Sequence, residues 1–202
     1  MRVALKRAWQ RLRLVESHIW YQTAINDERP RAPIPRHFHL TRASAAELGV
    51  VERFGPVSPA AAERRYREGA SLWLLLDDQE RPVFSCWTFV DRFPVFAANG
   101  GSLALRKGTA ALEDSCTAPE YRGQHLAPAA VCAVVDLLAA AGIDHLITKI
   151  AEDNQPARKA SEKVGFKPIA TMKTRRLFWF RPRVDLRVLG GSEGPFLEQQ
   201  LS

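Results

Sequence analysis

The sequence predicts a mixed α/β (α+β) domain, and three observations lead to that prediction. Apolar segments of strand length recur along the chain, among them 71–76, 82–90, 109–117 and 144–150. Runs of helix-forming residues alternate with them, the longest following Leu126. Glycine, proline, asparagine and aspartate separate the two kinds of segment.

The composition indicates one domain with short appendages. At 202 residues with 46% apolar side chains, the chain can bury a full core. No run approaches the roughly 18 to 20 apolar residues of a membrane span. Cys86, Cys116 and Cys132 have no paired spacing, which indicates reduced thiols rather than a disulfide framework or a metal site. We expect no metal, and we expect a cytoplasmic location because the N-terminus lacks the features of a secretory signal.

The N-terminal segment carries most of the net positive charge. The net charge is +7, and residues 1–36 hold eight Lys/Arg against three acids. Apolar residues at steps of three or four predict a basic amphipathic helix over 2–20. Such a helix could lie on the inner face of the membrane, pack on its own domain or form a homodimer contact. Nucleic acid is not expected, because the basic stretch is short and no aromatic platform accompanies it.

Boundaries follow from local composition. A proline-rich connector at 27–36 ends the N-terminal segment, so the predicted units are 1–36, a domain at 37–189 and a flexible tail at 190–202. Within the domain, a strand at 38–41 precedes two helices. Ser44 begins a capping box and Ser58 is an N-cap followed by proline.

The stretch from Leu112 to Ala127, LEDSCTAPEYRGQHLA, organises the rest of the chain. Cys116 and Thr117 suit a strand, and Pro119 ends it because proline cannot donate to a sheet ladder. The helix that follows closes at Gly142. Its free first-turn N–H groups and the positive end of its dipole favour a phosphate or pyrophosphate at the turn.

This turn resembles the GNAT superfamily of acyl-CoA-dependent N-acyltransferases, whose pattern is Gln/Arg-x-x-Gly-x-Gly/Ala. Arg122 fills the first position and Ala127 the last, while His125 replaces the middle glycine, so its side chain has to point away from the phosphates. A second block, from Asn154 to Phe166, resembles the superfamily's Asn-x-x-Ala…Glu-Lys-x-Gly-Phe segment. The resemblance covers roughly residues 37–180 and implies a GNAT fold, with a mixed sheet of about six to seven strands and about four helices, here with the extra N-terminal helix.

The resemblance also implies a coenzyme site for acetyl-CoA as acyl donor. A backbone N–H near Thr117 would meet the thioester carbonyl where the strands splay apart. Asn154 would bond the pantetheine arm, or else serve as a helix N-cap. The predicted coenzyme-binding residues are Cys116, Thr117, Arg122, Gly123, Gln124, His125, Leu126, Ala127 and Asn154.

The predicted catalytic residues are Glu113, Asp114 and Ser161. The Leu112-Glu113-Asp114 run resembles one in spermidine/spermine acetyltransferases, where the glutamate is the base. We expect Glu113 to be the base and Asp114 its substitute, since strand alternation lets only one of them face a given cleft. Otherwise Glu113 is an ion-pairing residue. Ser161 stands where the superfamily often has a tyrosine that acts as the general acid. The serine hydroxyl could donate a hydrogen bond to the coenzyme sulfur or hold a water molecule, or Ser161 could be only a small packing residue.

We therefore expect an N-acetyltransferase acting on a primary amine of a small molecule or of a membrane-associated glycan or lipid precursor. His125 and Ser161 motivate one alternative, an acyl-CoA-binding regulator with impaired catalysis. Transfer of a different acyl group is the other alternative, because the sequence does not show the shape of the cleft near Thr117.

Overall fold

The computed structural model describes residues 13–25, 28–55, 57–177 and 182–201. In these ranges the strands are β1 (Arg13–Ala24), β2 (Phe38–Arg42), β3 (Ser71–Asp77), β4 (Pro82–Val90), β5 (Arg92–Pro94), β6 (Ser102–Ala104), β7 (Thr109–Thr117), β8 (His145–Ala151), β9 (Lys167–Leu177) and β10 (Arg183–Val188). The α-helices are α1 (Val51–Phe54), α2 (Pro59–Arg67), α3 (Leu126–Ala140), α4 (Gln155–Lys163) and α5 (Gly194–Leu201). None of the helices in these ranges is long and apolar enough to cross a lipid bilayer.

Eight strands form one mixed sheet in the order β10-β9-β1-β8-β7-β4-β3-β2, and β5 and β6 form a separate hairpin. Neighbouring strands are antiparallel except β7 and β8, which run parallel. The predicted mixed α/β fold is confirmed. The main sheet exceeds the expected six to seven strands because the N-terminal segment contributes one.

The predicted N-terminal helix is wrong over residues 13–20, which belong to strand β1; residues 1–12 lie outside the described ranges. β1 pairs with β8 on one side and with β9 on the other. Trp20 is fully buried and Ile19 is 8% exposed, so neither side chain is available to a membrane surface. Aromatic and β-branched residues favour a strand once two strand edges are available to pair with. The predicted boundary at residue 36 is therefore also wrong, because β1 is central to the sheet.

The sheet separates two apolar cores. One core contains Trp20, Trp87, Phe93 and Leu197, and lies on the face covered by α2, the β5–β6 hairpin and α5. The other core contains Leu126 and its α3 neighbours and lies on the opposite face. These two sides of the sheet are the hairpin face and the α3 face.

The predicted flexible tail is wrong as well. Residues 194–201 form α5, and Leu197 and Leu201 are 0% and 4% exposed. These two leucines stand four residues apart and thus share one side of the helix. That apolar side packs on the hairpin face. The prediction of a flexible tail relied on the glycines and the scarcity of aromatic residues, and it overlooked this spacing of leucines.

Candidate active site

A cleft opens where β7 and β8 diverge. Their pairing covers only Thr109–Ala111 against His145–Ile147, although both strands continue beyond it. The cleft has a volume of about 730 Å³ and is lined by β7, β8, α3, α4 and one residue of β1. Glu113 is registered with Trp87 on the hairpin face, whereas Leu126 belongs to the α3 face, so the cleft passes through the sheet.

The turn before α3 presents a row of main-chain donors. Within the described residues, no backbone carbonyl accepts from the N–H groups of residues 123–127, and α3 has no side-chain cap. Gly123 and His125 both have left-handed backbones, with φ of 81° and 59°. The His125 side chain is exposed, as expected if the amides rather than the imidazole form the floor of the turn. Such a row at a helix N-terminus binds anions.

The end of β7 directs its own polar groups into the cleft. The Ala118 N–H donates to the Val83 carbonyl at 2.9 Å, so Ala118 faces β4. Along an antiparallel pair of strands, successive residues direct their N–H and C=O groups alternately toward the partner strand and away from it. The Thr117 N–H and C=O therefore point away from β4, toward the gap between β7 and β8. The Thr117 carbonyl accepts from Arg122 Nε at 3.2 Å, which agrees with this direction.

Tyr121 anchors the same turn, a role that the sequence reasoning missed. Its hydroxyl donates to Asp77 Oδ2 at 2.9 Å and accepts from Arg81 Nη2 at 3.2 Å. The Arg81 guanidinium, together with main-chain N–H groups and Tyr121, holds the pKa of Asp77 below its usual range. Asp77 and Arg81 flank the β3–β4 turn. Their hydrogen bonds to Tyr121 therefore connect that turn of the sheet to the segment just before Arg122.

Helix α4 forms the other wall of the cleft on the α3 face. Asn154 Oδ1 accepts from the Ala157 N–H at 3.3 Å, so Asn154 serves as the N-cap, the alternative role considered for it. Its carboxamide nitrogen is the group that could serve a ligand. Ser161, Lys159 and Lys163 also line the cleft, and the two lysines add positive charge to it.

A β-bulge changes the expected facing of the two acids. Trp87 pairs with Glu113 and Ser85 with Cys116, so Cys86 opposes both Asp114 and Ser115. Asp114 has φ of 49°, and a left-handed first residue is typical of a G1 bulge. The expectation that only one acid faces the cleft is wrong, because the bulge interrupts the alternation and both Glu113 and Asp114 line it.

The two acids have different partners. Glu113 forms an ion pair with Lys149 of β8, and both side chains are mostly buried, at 14% and 16% exposed. Burial raises the pKa of Glu113, and the positive charge of Lys149 opposes that shift only in part. Asp114 accepts from Arg65 Nη1 at 2.7 Å. The Arg65 guanidinium also lies 5.5 Å from the ring centres of Trp87 and Phe89.

The structure places nearly all predicted site residues around one cleft. Only Gln124 is not among the lining residues, although its N–H belongs to the row of free amides. Those that line it are Glu113, Asp114, Cys116, Thr117, Arg122, Gly123, His125, Leu126, Ala127, Asn154 and Ser161. Lining residues that the sequence reasoning missed include His18, Tyr121, Lys149, Lys159 and Lys163. The lysines of α4 could have been found from their spacing of four, but His18 and Lys149 depend on strand pairing.

A mixed sheet whose strands diverge beside a helix turn with free main-chain amides is the arrangement that the GNAT resemblance implies. The chain belongs to the GNAT acetyltransferase family, because the family model of the acetyltransferase (GNAT) domain matches residues 31–167.

Comparison with solved structures agrees on the fold. A Drosophila protein superposes with a TM-score of 0.61 at 14% identity, covering 87% of this chain and 56% of its own. A GCN5-related N-acetyltransferase from Sphaerobacter thermophilus gives 0.60 at 14% identity, with 87% and 56% covered. An acetyltransferase of the GNAT family from Colwellia psychrerythraea gives 0.58 at 15%, with 82% and 57%. The chain thus spans little more than half the length of these proteins. A search of curated proteins found no match.

Proposed function

We propose that the protein is an N-acetyltransferase that transfers the acetyl group of acetyl-CoA to a primary amine by direct attack. The observation that carries the proposal is the polarity of the cleft. Free main-chain donors of residues 123–127 stand beside Leu126 of the α3 face, and the carboxylates of Glu113 and Asp114 line the same cleft beside Trp87 of the hairpin face. The free amides would attract an anionic coenzyme, while the two carboxylates, each paired with a cation, would accept hydrogen bonds from the amine.

The coenzyme would lie on the α3 face. Its diphosphate would accept from the free amides of the turn, and the cations of Arg122, Lys159 and Lys163 would add charge complementarity at the mouth. The pantetheine arm would then run between β7 and β8, where neither strand has a ladder partner on the cleft side. The carboxamide nitrogen of Asn154 could donate to that arm.

The reacting atoms would meet near the end of β7. The Thr117 N–H points into the gap and could stabilise the developing oxyanion, since a main-chain donor aimed at this position lowers the barrier. Glu113 would remove a proton from the substrate ammonium, and its raised pKa makes it a better base than an exposed carboxylate. Ser161 could donate a hydrogen bond to the sulfur or hold a water there.

The acceptor would enter from the hairpin face. The cations that pair with the two acids lie against aromatic rings. Arg65, the partner of Asp114, lies over Trp87 and Phe89, and Lys149, the partner of Glu113, lies 5.5 Å from the Phe93 ring centre. A small-molecule amine with an apolar portion fits such surroundings. A membrane-bound acceptor was expected because residues 13–20 were predicted to form a membrane-surface helix. Those residues belong to the sheet, so they do not support such an acceptor.

Calorimetry with acetyl-CoA and thiol detection with a panel of amines test the proposal. We expect binding of acetyl-CoA and amine-dependent release of free thiol. Replacing both Lys159 and Lys163 with glutamine should weaken binding about tenfold or more, whereas Arg67→Gln, an exposed cation of α2 outside the cleft, should not. Binding without thiol release would favour the impaired regulator, release only with longer acyl-CoAs would indicate another acyl group, and absence of binding would refute the proposal.

A further inference from the structure

The two carboxylates of the cleft are already paired with cations of the protein. Lys149 of β8 contacts Glu113, and Arg65 of α2 donates to Asp114 Oδ2 at 2.7 Å. The four side chains are 14% to 23% exposed, so solvent and salt screen these pairs much less than surface pairs. Each carboxylate therefore has a positive partner before any substrate arrives.

Buried aromatic rings hold both cations in place. The Arg65 guanidinium lies 5.5 Å from the ring centres of Trp87 and Phe89, and Lys149 Nζ lies 5.5 Å from that of Phe93. All three rings belong to the core of the hairpin face. A cation over an aromatic face is attracted by the ring in addition to its ion pair. The two cations are thus fixed parts of the site, not surface groups that a substrate displaces.

The lining of the cleft carries an excess of positive charge. Its carboxylates among the described residues are Glu113 and Asp114, whereas its lysine and arginine side chains are Arg122, Lys149, Lys159 and Lys163. The diphosphate of the proposed coenzyme offsets cations of α4 and the turn, but it adds no negative charge beside Lys149. No carboxylate is left to neutralise an incoming ammonium, and Lys149 repels one that comes close.

We propose that the acceptor is a weakly basic monoamine, either an α-amino group or an aromatic amine, and that Lys149 selects it; this rests on the proposed acetyl transfer. An α-ammonium has a pKa of about 8, against about 10 for an alkylammonium of the lysine type. The weaker base gives up its proton to Glu113 more easily, and a larger fraction of it is neutral at pH 7.

Polyamines are disfavoured by the same charges. The likeness of the Leu112-Glu113-Asp114 run to spermidine/spermine acetyltransferases would suggest such an acceptor. A polyamine keeps a second positive charge after one nitrogen has lost its proton, and the cleft has no unpaired carboxylate for it. The structure thus separates this chain from the substrate class that the local sequence suggests.

Thiol release by the wild-type protein with a matched set of amines tests the proposal. Alaninamide and 3-methyl-2-butylamine have the same shape and differ in basicity, while 1,4-diaminobutane adds a second charge. We expect kcat/KM at pH 7 to be about tenfold or more higher for alaninamide than for either of the others. Aniline distinguishes the two sources: faster turnover than with alaninamide indicates an aromatic amine, and slower turnover indicates an α-amino group.

Lys149→Gln tests the selecting residue. With Glu113 left unpaired, kcat/KM for 1,4-diaminobutane relative to alaninamide should rise about tenfold or more, mostly through KM. Binding of acetyl-CoA should stay within about twofold of wild type, which shows that the variant is folded. Lys107→Gln, an exposed lysine outside the cleft, is the matched control and should leave the ratio unchanged within about twofold.

Two results would overturn the proposal. One is a wild-type protein that prefers 1,4-diaminobutane, which requires no variant. The other is a Lys149→Gln variant that binds acetyl-CoA normally and keeps the wild-type ratio. If no amine releases thiol from acetyl-CoA, the proposed acetyl transfer itself fails, which is a distinct result.

Discussion

At the scale of single residues, Glu113 combines a buried carboxylate with a cationic neighbour. Burial outweighs the attraction of Lys149, so the pKa of Glu113 is raised above the ordinary glutamate value. A base acts in its ionised form. Activity that depends on Glu113 should therefore fall as the pH drops through that raised pKa, and should be retained above it.

Glu113→Gln should lower kcat/KM by about 100-fold or more and remove this limb from the pH–rate profile. Glu120→Gln is the control, because Glu120 is half exposed, pairs with Arg53 and does not line the cleft. A pH profile of Glu113→Gln with the wild-type shape would exclude Glu113 as the base and turn attention to Asp114.

His125 is held in a backbone conformation that favours glycine. Its φ of 59° is left-handed, which costs a residue with a Cβ roughly 1 to 2 kcal/mol. Histidine tolerates this better than β-branched residues do. We predict that His125→Val lowers the free energy of unfolding by about 1 to 2 kcal/mol, while His125→Gly leaves it equal or raises it by up to about 1 kcal/mol. Urea denaturation of both variants would decide, and an undisturbed valine variant would contradict the left-handed turn.

At the scale of elements, β1 joins β8 to β9 and supplies a core residue. Trp20 has no exposed surface and packs edge-on against Phe93 at 6.0 Å between ring centres. Truncating such a side chain leaves a large cavity, so Trp20→Ala should lower the free energy of unfolding by about 3 to 5 kcal/mol. Val15, which is 44% exposed on the same strand, is the control, and Val15→Ala should cost less than about 1 kcal/mol.

Denaturant titration of the two variants distinguishes between the strand seen in the structure and the helix that the sequence predicts for these residues. In an amphipathic helix lying on a membrane, both substitutions would leave the folded domain about equally stable. Equal midpoints for Trp20→Ala and Val15→Ala would thus contradict the placement of β1 within the sheet.

At the scale of the whole molecule, the C-terminal helix completes the core of the hairpin face. Leu197 is fully buried, and the preceding Glu193 N–H donates to Gln22 Oε1 of β1 at 3.2 Å. The two ends of the described chain thus stabilise each other. Leu197→Ala should cost about 2 to 5 kcal/mol of unfolding free energy, whereas Gln199→Ala, on the exposed side of α5, should cost less than about 0.5 kcal/mol. Thermal unfolding of both would show whether α5 is structural, and matching midpoints would contradict its docking.

Local patterns account for the parts of the fold that the sequence predicted well. Ser58 caps α2 through a bond from the Ala61 N–H at 3.3 Å, and the Glu47 carboxylate accepts from the Ser44 N–H at 2.7 Å. Both signals act over three residues and need no distant partner. The same holds for the turn before α3, where Gly123 and the helix start at Leu126 are three residues apart.

The misassigned segments depend on partners far away in the chain. Residues 13–20 satisfy a helical pattern, yet the edges of β8 and β9 bind them as a strand. The facing of Asp114 could not be predicted, because a bulge is visible only in the register with β4. His18 and Lys149 reach the cleft for the same reason, through pairing between strands more than one hundred residues apart.

The amino-acid sequence alone determined the family, the α/β class and the turn of free amides before α3, because each is encoded by residues that are close neighbours along the chain. Tertiary structure decided the order of the strands, the packing of β1 and α5 into the core and the set of ionisable groups that meet across the cleft. The physical reason is that strand pairing is a long-range choice: the hydrogen-bonding capacity of a strand is the same for many partners, and only the packed sheet selects among them.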